Sequence, residues 1–398
     1  MKELPLRAFA AVWFTYFAAI GLFSTYAPLW FKSLGLPALL IGLIASLQSW
    51  TRVLAPYAWG WLADHSGRRV ELMRLAAVLA AVAAAALALT GPLGLAAVLI
   101  SVLLLFLSNG AIVPLAEASV AHVLNTAQGI DTARYARVRV WGSLGFIAGV
   151  MSFGFLLEAT GVRAFPVLVV GMFVLLVVAV WRLPVSREAP HAGEAGAGVM
   201  QVLRRPEVAW FFAGVFFTVL AHTSLYAFFS LYLDSLGRSK SAVGLLWAVA
   251  SVVEVAFFWF QGRWFERLSL HGWLLLAAGT SALRFAAMAA FGQATWLLVL
   301  TQASHALTFA AQHAACIALI HRYFPGRLRG RGQALYTTLG YGISGVIGGV
   351  AGGALIERFG YASVFWAASA AAGVSVACVL RSRWHARAAV GEPAAALS

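Results

Sequence analysis

Polar residues along this chain are gathered into short clusters, and the stretches between them stay apolar for about 20 residues or more, enough for a helix to cross a hydrocarbon layer ~30 Å thick. These stretches lie near 8–31, 38–63, 72–90, 95–122, 138–159, 164–183, 207–233, 241–261, 270–290, 296–320, 333–356 and 362–380. The pattern predicts an all-α membrane protein of twelve transmembrane helices. One long polar interruption divides them, at 184–206, where Pro184, Glu188, Pro190, His191, Gly193 and Glu194 give a composition that cannot bury a core. The predicted domains are an N-terminal six-helix bundle at 1–183, a cytoplasmic linker at 184–206, a C-terminal six-helix bundle at 207–383 and a cytoplasmic tail at 384–398. Every other connection is short, which leaves no room for an extramembrane catalytic domain.

The pattern also repeats. Shifted by 202 residues, Leu34-Gly35 falls on Leu236-Gly237, Gly42-Leu43 on Gly244-Leu245, Gly60 on Gly262 and Asp64 on Glu266. In the same register Arg52, a lone base within a long apolar run, meets Glu254, a lone acid within another. A second register, offset by 199, lays Leu156-Leu157-Glu158 and Gly161 on Leu355-Ile356-Glu357 and Gly360. Two pseudo-symmetric six-helix bundles are the construction used by many transporters. Glycines recur in the fifth and eleventh spans. Gly142, Gly145 and Gly149 make one smooth face that admits a neighbouring helix closely, and such helices are expected to form moving contacts between the halves.

Composition agrees with the pattern: 62% of residues are hydrophobic, 11% are charged and the mean hydropathy is +0.86, which no soluble domain of 398 residues tolerates. The net charge of +14 raises nucleic acid as a partner, but the 28 Lys and Arg residues are sorted by loop. Lys32, Arg163, Arg238, Lys240 and Arg358 fall on one side, Arg52 and Arg284 fall within spans, and all the rest fall on the side that holds both termini. That bias is the positive-inside rule, so both termini are expected in the cytoplasm and no nucleic-acid partner is expected. The first apolar run is too long for a cleaved signal peptide and is read as the first helix. Cys316 and Cys378 sit within spans and indicate neither a disulfide framework nor a metal site.

Between the second and third spans stands Gly60-Trp61-Leu62-Ala63-Asp64-His65-Ser66-Gly67-Arg68-Arg69. It resembles the G-x-L-a-D-r-x-G-r-[rk] loop of the major facilitator superfamily. A degenerate copy, Gly262-Arg263-Trp264-Phe265-Glu266-Arg267, lies at the repeat offset. Physically, Asp64 is able to pair with the arginines or a helix end while Gly67 turns the chain, so Gly60, Asp64, Gly67, Arg68 and Arg69 are expected to form a gating latch. Pro114-Leu115-Ala116-Glu117 and Arg137-Val138-Arg139-Val140-Trp141-Gly142-Ser143 resemble segments of the lactose permease branch and of the bacterial 3-phenylpropionate permease family. Ser241 to Trp247, with Glu254, Arg284 and His305 following, resemble the latter family especially. The resemblance covers essentially the whole chain and implies the major facilitator fold, a bacterial inner-membrane location and a pairing of Glu117 with Arg139. Lactose permease places a glutamate essential for proton coupling three residues after its helix-10 histidine; the matching position here is Thr308.

An ionisable group at membrane depth costs roughly 3 kcal/mol or more unless paired or hydrated, so each is a functional candidate. Arg52 stands 12 residues before Asp64 and Glu254 12 before Glu266, about 18 Å along each helix and hence near mid-membrane. They either face one another across a central cavity or pair with local partners. Trp247, Ser251, Glu254, Phe258 and Gln261 share one helical face; so do Thr301, His305, Thr308 and Gln312, and so do Thr218, His222 and Tyr226. In lipid such stripes must face protein or water.

The candidate substrate-binding residues are Glu117, Arg139, Tyr226, Trp247 and Arg284, the arginines offering forks suited to a carboxylate. The candidate proton-coupling residues are Glu254, His305 and Arg52. No catalytic residue, metal site or cofactor is indicated, and motifs such as H-E-x-x-H are absent. The first reading is a proton-coupled importer, probing both sides of the bilayer by alternating access, of a small organic solute, an aromatic or other carboxylate. A sugar or nucleoside symporter and an exporter of drugs or metabolites are the alternatives. Its expected partners are the small-molecule substrate, a proton and the lipid bilayer, and it is expected to act as a monomer.

Overall fold

A helix in lipid must satisfy its backbone groups internally and can end only where polar or glycine signals let the chain turn. Gly35 and Gly237, partners in the repeat, do this with φ of +79° and +73°, a left-handed conformation that glycine adopts without a Cβ clash. The computed structural model describes residues 6–90, 94–126, 129–185 and 199–389. Among these are twelve helices long and apolar enough to cross a membrane: α1 Leu6–Ser33, α2 Ala38–Ser66, α3 Arg69–Leu89, α4 Gly94–Val123, α5 Ala133–Thr160, α6 Val162–Trp181, α7 Pro206–Ser235, α8 Lys240–Arg263, α9 Leu270–Phe291, α10 Thr295–Tyr323, α11 Arg329–Phe359 and α12 Ala362–Ala388. The all-α expectation holds. A two-residue antiparallel pairing, Asn125↔Ile130 and Thr126↔Gly129, decorates the α4–α5 connection. Of the linker expected at 184–206, residues 186–198 lie outside the described residues; the part that follows forms a short helix, Val199–Leu203. The last helix runs to Ala388, past the expected start of a tail, with His385 and Arg387 in its final turn where the helix dipole favours positive charge.

Besides the 3-10 turns that begin α6 (Val162–Ala164) and end α8 (Gln261–Arg263), three helices depart from regular α geometry within their length. α4 is interrupted after Asn109, where Gly110 and Ala111 turn the chain before a new helical segment begins at Ile112. The sequence reason is Pro114: it has no N–H to continue a ladder, and the break places it in a first turn, where none is needed. α10 and α11 each contain a π-helical stretch, Ala306–Ala311 and Tyr336–Ile343. Such stretches are uncommon and are frequent at functional sites.

The chain forms two compact units. Unit 1 comprises residues 1–36, 47–193 and 237–248, and unit 2 comprises residues 37–46, 194–236 and 249–398. In unit 1, α1 packs on α5 and α6, and α3 on α4 and α6. Phe23 lies at the centre, its ring 5.3 Å from that of Phe106 and 5.7 Å from that of Phe165. The glycine face of α5 is taken by α1: a Cβ on Gly145 would meet the backbone of Phe14, and one on Gly149 the backbone of Ala18. The partner of this face is thus a helix of the same unit in close backbone approach, while Gly154 of α5 meets the backbone of Lys240 on α8, and Gly349 and Gly353 of α11 meet the backbone of Gly42 and Ala38 on α2. The first turns of α8 also belong to unit 1, with the Glu158 carboxylate accepting from the Lys240 N–H at 2.5 Å. In unit 2, α7 and α9 both pack on α12, α7 also on α11, and α9 on α10. The start of α2 belongs here, and the Glu357 carboxylate accepts from the Leu39 N–H at 3.0 Å.

Candidate functional site

Arg284 lies on α9 and is only 3% exposed, a burial that a guanidinium survives only with acceptors around it. α10 supplies them. Nη1 donates to Thr308 Oγ1 at 2.9 Å and to His305 Nδ1 at 3.0 Å, and Nη2 donates to Gln302 Oε1 at 3.3 Å. Because a guanidinium can only donate, Nδ1 of His305 is the acceptor, and the imidazole proton resides on Nε2. That nitrogen points to Glu254 on α8, 3.8 Å from Oε2. Arginine, histidine and glutamate therefore stand in series, a fixed positive charge at one end and a carboxylate at the other. Thr308 occupies the position that matches the lactose permease glutamate, and it serves Arg284 as a neutral acceptor.

α7 closes this cluster. His222 is 2% exposed, and its Nδ1 lies 2.8 Å from the Thr218 carbonyl oxygen, so Nδ1–H donates and Nε2 is left as an acceptor. The His222 and Tyr226 rings lie 6.1 Å and 6.3 Å from that of His305. Three buried atoms of the cluster, His222 Nε2, Arg284 Nε and Gln302 Nε2, have no hydrogen-bond partner among the described residues. Two donors and one acceptor left open around a buried charge are what a site for a polar solute requires, since leaving them empty costs about 1–3 kcal/mol each.

The π-helical stretch of α10 carries Phe309 between two histidines. Its ring stacks on His305, 5.2 Å apart and 3° from parallel, and on His313, 6.1 Å and 13°. His313 Nδ1 in turn lies 3.1 Å from Tyr336 Oη, and Tyr336 3.2 Å from Tyr341 Oη, both tyrosines being in the π-helical stretch of α11. Thr218, expected on the α7 stripe, bonds to Ser375 of α12 at 2.6 Å and so fastens helices together.

In unit 1, Arg139 of α5 lies over the rings of Trp13 at 4.6 Å and Phe17 at 4.9 Å, with Nε 3.9 Å from Glu117 Oε1 on α4. Arg52 of α2 makes no ion pair among the described residues, so no local structural pair accounts for it. Trp247 is buried in the part of α8 that belongs to unit 1. At the end of α2, Arg69 donates to Asp64 at 3.1 Å, Arg68 lies 3.9 Å from Glu71, and Gly67 turns with φ +65°. Gly60 has open space where a Cβ would stand. Asp64 is 48% exposed and Arg69 18%, so the pair is a surface one.

The structure thus gathers Arg284, His305, Glu254 and Tyr226 into one cluster, Glu117 with Arg139 into a second, and Asp64 with Arg69 into a third. Gln302 was missed in the sequence because it is off the Thr301, His305, Thr308 and Gln312 stripe.

Twelve apolar helices, buried charges in series and unfilled polar atoms at their meeting point describe a membrane protein that handles a polar solute, and the chain belongs to the MFS_1 like family, whose model matches residues 6–367. It is a multi-pass membrane transporter of the major facilitator type, not an enzyme. A probable 3-phenylpropionic acid transporter of Escherichia coli (strain K12) is 29% identical over 365 residues, covering 90% of this chain and 93% of that protein. A maltose permease of Geobacillus stearothermophilus is 30% identical over 383 residues, covering 94% and 92%. Among solved structures, the nucleoside transporter NupG superposes with a TM-score of 0.80 at 16% identity, covering 97% of this chain and 100% of that one.

Proposed function

We propose that the chain is a proton-coupled importer of a small organic carboxylate, an aromatic acid in the first place, working by alternating access in a bacterial inner membrane with both termini in the cytoplasm. Its two bundles, at 1–183 and 207–383, would be joined by the 184–206 linker. The observation that carries the reading is the series Arg284, His305, Glu254. With Glu254 ionised, its charge offsets that of Arg284 through the intervening imidazole. A proton on Glu254 leaves the buried guanidinium uncompensated, and an anionic solute then restores neutrality. Proton and carboxylate therefore favour each other's binding, which is the thermodynamic content of symport. The open donors Arg284 Nε and Gln302 Nε2 suit a carboxylate, and Tyr226 with Phe309 provides aromatic wall.

Glu117, Arg139 and Trp247, all in unit 1, are assigned to solute binding, and Gly60, Asp64, Gly67, Arg68 and Arg69 to the gate. The likeness of the chain to a probable 3-phenylpropionic acid transporter supports the carboxylate. A second reading, a sugar or nucleoside symporter, draws on the maltose permease and on the fold of the nucleoside transporter. Uptake of labelled 3-phenylpropionate, maltose and a nucleoside into proteoliposomes under an imposed proton gradient decides between them. Accumulation of the acid alone, abolished by a protonophore, is expected; accumulation of only a neutral solute would replace the first reading by the second.

A further inference from the structure

Within unit 2 the starts of α7 and α9 and the ends of α10 and α12 meet at one side, where a polar knot ties them together. Ser382 Oγ of α12 donates to the Glu207 carbonyl oxygen of α7 at 2.7 Å, which leaves its lone pairs for His271 of α9, whose Nε2 lies 3.2 Å away. Tyr323 Oη, at the end of α10, stands 3.5 Å from the same nitrogen. Neither the solute cluster nor the gate uses any of these residues. Three guanidiniums gather around the knot: Arg383 and Arg387 of α12 and Arg322 of α10 all lie within electrostatic reach of His271. None of the three makes an ion pair among the described residues. The Glu207 carboxylate acts on Tyr323, one negative charge against three positive ones. Arg383 and Arg387 also stand one turn apart on the same helix, where like charges destabilise one another, so an anion docked between them turns repulsion into attraction.

The chemistry of the cluster and of the surface beside it selects the anion. Arginine forks match the oxygens of a phosphate in bidentate geometry. The cluster also runs into an outward-facing strip of α12: Leu380, Trp384 and Arg387, spaced i, i+4 and i+7, share one helical face, Leu380 being 44% and Trp384 52% exposed and Arg387 exposed as well. Over about 10 Å that face passes from apolar through amphipathic to cationic, the order of an acyl chain, a headgroup boundary and a phosphate. A soluble phosphate would touch the arginines alone, whereas a phospholipid covers the strip too. A zwitterionic headgroup would bring its own cation toward three others, so a net negative lipid fits best. We propose that this corner of unit 2 binds one anionic phospholipid of the leaflet that the end of α12 reaches, its phosphate held by Arg322, Arg383 and Arg387 and its acyl chain laid along Leu380 and Trp384. Basic pockets between helix ends are suited to such headgroups, and the site stands independently of which solute is transported.

The test is native mass spectrometry of the purified full-length protein in detergent, titrated with phosphatidylglycerol, with phosphatidylcholine of the same acyl chains, and with glycerol phosphate and inorganic phosphate. One phosphatidylglycerol is expected to stay bound under conditions that strip phosphatidylcholine and the soluble phosphates. Arg322→Gln, Arg383→Gln and Arg387→Gln should each weaken it by about fivefold, the usual contribution of one basic side chain to attraction for an anionic lipid surface. Arg204→Gln, Arg205→Gln and Arg263→Gln, on the same side of the same unit, should leave it as in the parent. Arg387→Glu changes an exposed residue in a final helical turn, which the fold tolerates; it should weaken the lipid more than Arg387→Gln does, and it decides the matter alone should the other variants fail to fold. Equal losses from both sets of arginines would show only the general attraction of a basic face and overturn the site, as would equal retention of phosphatidylcholine. Soluble phosphates held as firmly as the lipid would overturn the lipid in favour of a soluble anion.

Discussion

Nη1 of Arg284 donates to Nδ1 of His305 across 3.0 Å, and this one bond decides how the neighbouring charges communicate. It fixes the proton of the imidazole on Nε2, the atom that faces Glu254 at 3.8 Å. A lysine at 284 keeps the charge but has a single nitrogen in place of a planar fork, so it cannot serve His305, Thr308 and Gln302 together. Arg284→Lys is expected to lower solute uptake by about tenfold to a hundredfold, corresponding to one or two lost charged hydrogen bonds. Uptake equal to the parent at equal expression would remove Arg284 from the site.

The α1–α5 contact makes a stability prediction. Gly145→Leu would drive a side chain into the backbone of Phe14, which cannot yield, whereas Gly279 on α9 has open space around a Cβ and sits mid-helix. Gly145→Leu should therefore lower the melting temperature of the detergent-solubilised protein sharply or prevent its recovery. Gly279→Ala should leave melting unchanged or raise it, by up to about 1 kcal/mol of helix preference. Equal melting of the two variants would contradict the close packing of α1 on α5.

At the Asp64 loop the expected effect is set by exposure. The Asp64 to Arg69 bond is 3.1 Å long but largely solvent-facing, and such pairs contribute about 1 kcal/mol or less. Asp64→Asn should shift the balance of cytoplasmic against periplasmic cysteine labelling by no more than about fivefold. Gly67→Ala, which strains a residue held at φ +65°, costs about 1–2 kcal/mol and should shift it at least as far. Labelling unchanged in both variants would make the loop a charged turn with no part in gating.

The 199-residue register yields another pair of tests. Glu158 accepts from the Lys240 N–H and Glu357 from the Leu39 N–H, so two repeat-related carboxylates each satisfy the first turn of a helix, α8 in unit 1 and α2 in unit 2. Helix caps contribute about 0.5–2 kcal/mol. Glu158→Ala and Glu357→Ala should lower thermal stability by similar amounts within that range. A loss at one site only would show that the repeat does not extend to this function.

These carboxylates illustrate how far the sequence speaks. Hydropathy located every span, because the need to bury backbone polar groups in lipid writes its length directly into the chain, and the repeat marked Glu158 with Glu357 as counterparts. Their role as helix caps was not legible, since it depends on which helix start each unit packs against α5 or α11. The same holds within the site. His305 and Thr308 were found because a 3.6-residue period puts them on one face, but Gln302 was not, as it lies off that face and meets Arg284 only through the packing of α9 on α10. The π-helical stretches are invisible to any pattern that assumes a regular helix, and they set the His305, Phe309, His313 column. The break in α4 was not read either: hydropathy runs unbroken through 95–122, and only the backbone shows the helix stopping at Asn109 and restarting at Ile112 with Pro114 in its first turn.

The central claim, that Glu254 passes its charge state to the solute through His305 and Arg284, is tested most directly by Glu254→Gln in proteoliposomes, read in two ways. The glutamine mimics the protonated carboxyl and no longer exchanges a proton. The account predicts that an imposed proton gradient drives accumulation of labelled 3-phenylpropionate by the parent and not by the variant, while the variant still exchanges labelled for unlabelled acid in counterflow. Gradient-driven accumulation by Glu254→Gln equal to that of the parent would contradict it.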